Sequence, residues 1–84
     1  MCAMEEFLAF VLRQLVDYPD EIVLVRVVTG KRVTFRVRLR QSDVGKVIGK
    51  HGLTIIAIRN LLGAAAARHG EKATLEIVED ERPA

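Results

Sequence analysis

Residues 32–40 alternate without interruption between apolar and polar side chains. The apolar positions are Val33, Phe35, Val37 and Leu39, and the basic ones between and after them are Arg36, Arg38 and Arg40. Because successive side chains of a β-strand point to opposite faces, this period of two predicts a strand with one buried and one solvated face. The β-branched run at 21–28 predicts a second strand. The Thr29-Gly30-Lys31 link is so short that the two strands must form an antiparallel hairpin.

The segment before the hairpin has helical periodicity. Residues 4–17 carry apolar side chains at i, i+3 and i+4 spacing, and Pro19 prevents the helix from continuing. Phe10 and Val16 widen the apolar stripe beyond one packing face. We expect them to cover the edge of the same core, and a dimer contact is the alternative.

The segment after the hairpin predicts a helix–loop–helix at residues 43–69, with Ser42 or Asp43 as its N-cap. A glycine inside a helix costs about 1 kcal/mol relative to alanine, so Gly63 suggests crowding against a neighbour. A last strand follows at 72–78, and its inward side chains alternate with outward ones.

The order of elements limits the topology. The last strand follows a helical crossover, so it can lie beside the second strand and parallel to it. The chain is therefore predicted to be an α+β two-layer sandwich, with a three-stranded mixed sheet and three helices on one face. Its 84 residues suit one domain, here 1–78, and the acidic segment 79–84 is predicted to be a disordered tail.

A glycine-bracketed tip lies between the second and third predicted helices. Gly49 and Gly52 have no Cβ, so a nucleic-acid backbone can approach closely, and the following helix offers its N-terminal N–H groups to a phosphate. Lys50 and His51 lie at the tip, and Lys46 lies one turn earlier. The alternative is a tight helix–turn–helix that binds no ligand. Such a turn does not require a basic residue between its glycines, so Lys50 favours phosphate binding. The candidate residues are Gly45, Lys46, Val47, Ile48, Gly49, Lys50, His51 and Gly52, with Val47 and Ile48 as part of an aliphatic surface for a base.

The arginines of the alternating strand allow two interpretations. Arg36, Arg38 and Arg40 can form a nucleic-acid stripe, because guanidinium groups bind phosphates. The favoured alternative is an ordinary solvated sheet face, with the arginines paired to neighbours such as Glu76.

Composition and residue spacing exclude several classes of protein. His51 and His69 are accompanied by no nucleophile, carboxylate pair or metal-ligand spacing, so we predict no enzyme, metal or cofactor. The single Cys2 excludes an internal disulfide. No apolar run is long enough for a membrane span. We expect a cytoplasmic protein.

Four segments together resemble a type II KH domain, and in particular the small bacterial stand-alone KH proteins of the KhpA type. They are Leu15–Asp20, Gly45–Gly52, Ala57–Leu62 and Leu75–Ile77. The resemblance implies the order α-β-β-α-α-β, with Gly49 to Gly52 as the clamp for about four single-stranded nucleotides. It also adds Arg59 to the site.

The resemblance further implies a homodimer, or a heterodimer with a larger KhpB-type protein. It implies post-transcriptional regulation or RNA chaperone activity linked to cell shape and envelope growth, including cell wall biogenesis. The alternative function is an adaptor whose pairing with another KH protein is primary.

One residue departs from the family pattern. Leu53 stands where a basic residue often follows the second glycine, so we expect weak binding. Aspartate at both Gly49 and Gly52 is predicted to abolish RNA binding and leave the fold intact.

Overall fold

A computed structural model of the chain describes residues 3–80. The elements are α1 (Ala3–Leu15), β1 (Val23–Thr29), β2 (Arg32–Arg40), α2 (Gln41–Ile48), α3 (Leu53–Arg68) and β3 (Lys72–Asp80), with 3-10 turns at Pro19–Glu21 and Lys50–Gly52.

The alternating strand is the centre of the sheet. β1 pairs with β2 antiparallel, with Val25 opposite Arg36, and β3 pairs with β2 parallel, with Leu75 opposite Phe35. The apolar positions of β2 are 0–1% exposed and face the helices. The predicted α+β sandwich with a mixed three-stranded sheet is therefore confirmed.

The core is aliphatic apart from one phenylalanine. α1 and α3 each supply one buried stripe, and β2 supplies the complementary side of the sheet. The buried apolar residues are Met4, Leu8, Leu12, Val16, Val33, Phe35, Val37, Leu39, Val47, Ile55, Ile58, Leu62, Ala66 and Leu75.

Several element boundaries differ from the predictions. α1 ends at Leu15 rather than 17, and β1 begins at Val23 rather than 21, because the intervening residues form the Pro19–Glu21 turn. β3 continues to Asp80, so residues 79 and 80 belong to the sheet, opposite residues 39 and 40, rather than to a tail. The remainder of the predicted tail, 81–84, and Cys2 lie outside the described residues.

Asp43 does not cap α2. The helix begins at Gln41, one residue after Arg40, and no side chain caps it. The Asp43 carboxylate is fully buried and accepts hydrogen bonds from the backbone N–H groups of Asp17 (3.0 Å) and Tyr18 (3.1 Å). These two hydrogen bonds hold the segment after α1 against α2. They also satisfy backbone N–H groups that have no partner within a helix or strand.

Two packing predictions fail in part. Val16 joins the core at 9% exposure, as expected, but Phe10 is 57% exposed and does not belong to the core or to the described residues packed against it. A Cβ at Gly63 would meet no atom within 4 Å, so the predicted crowding is wrong.

Candidate nucleic-acid interface

The tip between α2 and α3 is built from backbone conformations that favour glycine. Gly49 has φ 78° and ψ 171°, His51 has φ 57° and ψ 21°, and Gly52 has φ 73° and ψ 11°. The Gly49 N–H closes α2 on the Gly45 carbonyl at 2.9 Å, and the Gly52 N–H donates to the Gly49 carbonyl at 3.1 Å. The turn is thus held by its own backbone, and its side chains are left available for a ligand.

The two bracketing glycines are required for different reasons. A Cβ at Gly49 would lie 2.6 Å from Thr54 Cβ and would also overlap Thr54 Oγ1, whereas a Cβ at Gly52 would meet nothing within 4 Å. Gly49 therefore permits close packing of the first turn of α3, and Gly52 permits only the left-handed turn. Aspartate at Gly49 would clash, so the expectation that the double aspartate variant leaves the fold intact is not supported. Sequence reasoning missed Thr54, because nothing in its spacing marks it.

The tip carries one basic side chain and one imidazole side chain. Lys50 and His51 are exposed, and within residues 3–80 neither forms a side-chain hydrogen bond or an ion pair. α3 begins directly behind them, with Gly52 at its N-cap and no side chain capping its first N–H groups. A helix N-terminus attracts anions through these donors and its dipole. The tip therefore combines one fixed cation, one titratable imidazole and a set of N–H donors.

Lys46 does not lie at the tip. Its Nζ is 3.1 Å from an Asp17 carboxylate oxygen, 3.8 Å from Asp43 Oδ1 and 3.3 Å from the Ser42 carbonyl, near the start of α2. The hydrogen bond to Asp17 raises the pKa of Lys46 above its ordinary 10.5, with both carboxylates adding to this effect against partial desolvation. The Lys46 charge is therefore paired with carboxylates of the same chain at the protein surface. The sequence offered no sign of Asp17 as its partner.

The apolar residues before the tip divide between core and surface. Val47 is 0% exposed and belongs to the core, so the prediction that it helps to form the surface for a base is wrong. Ile48 is half-buried against the core, and Gly45 is exposed with open space where a Cβ would be. Ile56, on α3, is 49% exposed. The accessible aliphatic surface thus comes from Ile48 and Ile56.

Arg59 connects α3 to the edge of the sheet. Its Nη2 donates to the Leu75 carbonyl at 3.3 Å, and Leu75 lies on β3, an edge strand of the sheet. Ile56 and Gly63 lie three residues before and four after Arg59, hence on the same flank of the helix. The Arg59 hydrogen bond therefore places this flank of α3 beside the β3 edge.

The arginines of β2 are mostly paired, as the favoured interpretation predicted. Arg36 forms an ion pair with Glu76 at 3.0 Å. Arg40 pairs with Glu21 at 3.0 Å and its guanidinium carbon lies 4.1 Å from the Tyr18 ring centre. These contacts engage two of the three arginines of the predicted stripe, whereas Arg38 forms no ion pair with the described residues.

A metal site and a membrane-spanning helix are both absent from residues 3–80. Among residues 3–80, no three His, Cys, Asp or Glu side chains are grouped so that they could hold a metal ion. None of the helices in the same part of the chain has both the length and the hydropathy of a membrane span.

Comparison with known proteins gives a consistent result. The family model described as "KhpA/KhpB, KH domain" matches residues 5–77. A protein named "RNA-binding protein KhpA" from Chlamydia caviae is 41% identical over 78 residues, which cover 93% of this chain and 100% of the relative. The proteins of that name from Borreliella burgdorferi and Bacillus subtilis are 44% and 38% identical, over 88% of this chain and 90% and 91% of their own lengths. No solved structure matches the chain.

Proposed function

The chain belongs to the KhpA/KhpB family of KH domains, and from that premise we propose that it binds single-stranded RNA through the Gly49–Gly52 tip. The family is one of RNA-binding domains and not of enzymes. The observation that carries the proposal is the state of the tip, where Lys50 and His51 project from a left-handed turn without a hydrogen-bond or ion-pair partner among residues 3–80.

The clamp acts mainly on the RNA backbone. The absence of a Cβ at Gly49 and Gly52 allows phosphates to approach the main chain, where the first N–H groups of α3 donate to their oxygens. Lys50 adds a full positive charge. His51 donates a hydrogen bond when it is neutral and a stronger one when it is protonated. These contacts hold a backbone without reading its sequence.

Bases occupy the flank of α3 beside β3. Ile56 offers an apolar surface, and Arg59 offers its remaining guanidinium N–H donors beside the edge of the sheet. KH domains hold about four nucleotides in this manner. The groove contains few groups that distinguish one base from another, so sequence preference is expected to be low.

Binding is expected to be weak for a single copy. Lys46 is paired with Asp17 and Leu53 adds no charge, which leaves about two or three cations for phosphates. For single-stranded nucleic acid, each neutralised phosphate contributes about −0.7 to the slope of the logarithm of the binding constant against the logarithm of the salt concentration. Two or three such contacts therefore predict a slope of about −1.4 to −2.1. A dimer that presents two clamps would raise the apparent affinity.

The test is a pair of charge-matched variants. Lys50→Asp with His51→Asp places acidic groups at the tip, and aspartate tolerates the left-handed conformation of His51. Arg13→Asp with Gln14→Asp makes the same change in formal charge on the exposed end of α1. Fluorescence anisotropy with a labelled single-stranded RNA should show at least tenfold weaker binding for the tip variant only.

Circular dichroism should show that both variants keep the fold. Equal losses of affinity in the two variants would mean that RNA responds to net charge rather than to a clamp. Unchanged affinity in the tip variant would contradict the proposal outright.

The finer functional assignments rest on family resemblance and on the family model that covers both KhpA and KhpB. We propose a homodimer or a heterodimer with a KhpB-type protein, acting in the cytoplasm as a post-transcriptional regulator or RNA chaperone. Its proposed physiological role is in cell shape, envelope growth and cell wall biogenesis. Deletion of the gene, complemented by the wild type or by the tip variant, would test whether RNA binding underlies that role.

An adaptor function is the second candidate, and the outer side of α3 favours it. Leu53 and Leu61 are 64% and 56% exposed, and Ala57 and Ala64 lie between and beyond them on the same side. This apolar strip is suited to pairing between KH domains. Light scattering of the wild type and of Leu61→Glu tests it, with loss of a dimer expected. If Leu61→Glu abolishes pairing and the tip variant abolishes only RNA binding, the two functions are separate.

A further inference from the structure

The face of the sheet opposite the helices carries an apolar groove that the proposed RNA clamp does not use. Its outer walls are valines of the two edge strands, and its floor carries arginines of β2. The groove has a volume of about 360 Å³ and is lined by Val23, Val25, Val78, Arg36, Arg38 and Glu76. The three valines are 39–47% exposed. A solvated sheet face normally carries polar side chains along every strand, so β1 is an exception.

Charge on this face has one predominant sign. Five basic side chains stand on it, and the described acidic side chains that reach it are Glu76 and, beside Arg40 at the end of β2, Glu21. The basic residues are Arg32, Arg36, Arg38, Arg40 and Lys72. Glu76 forms an ion pair with Arg36 at 3.0 Å, whereas Arg38 has no carboxylate partner in the described residues. The groove therefore has the Arg38 guanidinium at its centre and valines along both walls. Its chemistry complements a partner surface that carries apolar side chains and a carboxylate among them.

We propose that this groove docks an acidic amphipathic helix of a partner protein. Three strands about 4.8 Å apart present a face about 10 Å across, which matches the width of one helix. Apolar side chains of the helix pack between Val25 and Val78, and a carboxylate of the helix pairs with Arg38. The docked helix becomes the missing layer on this side of the sheet.

Two other occupants fit this face less well. A second copy laid face to face would bring two net-positive surfaces together. Single-stranded RNA stacks its bases on aromatic rings, and the described side chains of the groove include none. Both remain outcomes of the test.

The test uses a synthetic helix as the probe. A peptide of about 20 residues, long enough to span a nine-residue strand, carries leucine on one face and glutamate beside it. The matched peptide has lysine in place of glutamate. Amide chemical shifts of the full-length chain are followed by NMR during titration with each peptide and, separately, with a single-stranded RNA.

The acidic peptide should shift amides of β1 and β2 around Val25 and Arg38, and the lysine peptide should not. Arg38→Gln and Val25→Thr should each weaken the acidic peptide about tenfold, whereas Arg13→Gln on α1 should leave it unchanged. Equal binding of both peptides, shifts confined to α3 or the tip, or RNA-induced shifts on this face would overturn the proposal. So would a concentration-dependent dimer that Val25→Thr abolishes, because a second copy would then be the occupant.

Discussion

Replacement of Gly49 and of Gly52 by alanine should have very different effects on stability. At Gly52 the backbone is left-handed and open, so alanine incurs only the ordinary left-handed penalty of about 1–2 kcal/mol. Gly49, at φ 78° and ψ 171°, lies in a region almost restricted to glycine, which costs roughly 1–3 kcal/mol for any other residue. The overlap with Thr54 adds roughly 1–3 kcal/mol of overpacking. The expected loss at Gly49 is therefore about 4 kcal/mol.

Urea unfolding followed by circular dichroism measures both losses. A chain of 84 residues has a free energy of unfolding of about 4–12 kcal/mol, so Gly49→Ala approaches the limit of a folded protein while Gly52→Ala does not. Adding Thr54→Gly to Gly49→Ala should recover the overpacking part, and the double-mutant cycle isolates it. If the two alanine variants differ by less than 0.5 kcal/mol, the assigned roles of the glycines are wrong.

Four further predictions concern single residues. Asp43→Asn should cost about 2–3 kcal/mol in urea unfolding, because one of two backbone N–H donors would face an amide NH₂; a loss below 0.5 kcal/mol would contradict it. His51→Gly should raise the free energy of unfolding by about 1 kcal/mol, since φ is positive there, and a lower melting temperature would refute this. Gly63→Ala should gain about 0.5–1 kcal/mol, because its Cβ enters open space, and destabilisation would indicate hidden crowding. The difference in free energy of unfolding between wild type and Lys46→Met should be constant from neutral pH to about 10. It should shrink as pH rises through the raised pKa of Lys46, because the neutral amine no longer attracts Asp17 and Asp43. A change in this difference near neutral pH would show that a group other than Lys46 causes it.

The fold was predictable because the alternation in β2 and the helical periods depend only on which side chains are apolar. Such patterns determine which face is buried, and the order of elements then leaves few topologies. Element ends were less predictable. The segment between α1 and β1 includes the Pro19–Glu21 turn, and the backbone N–H groups of Asp17 and Tyr18 just before that turn bind Asp43, which lies 25 or 26 residues away in sequence.

The candidate site was predictable in its backbone and only partly in its side chains. The glycines and the exposed Lys50 and His51 follow from local sequence. Lys46 lies away from the tip because its ammonium group pairs with Asp17, which the packing of α1 beside α2 brings near. The burial of Val47 depends on which side of an eight-residue helix meets the core. Such tertiary choices leave no local pattern.

We propose that RNA is held at the Gly49–Gly52 tip and along the α3 flank beside β3. Amide chemical-shift mapping of the full-length chain with a single-stranded RNA of about four nucleotides tests it most directly. RNA held in this way should produce the largest shifts at residues 49–56, smaller ones near Arg59, and none on the valines of β1. Shifts centred on β1 and the outer face of β2, with the tip unmoved, would contradict it.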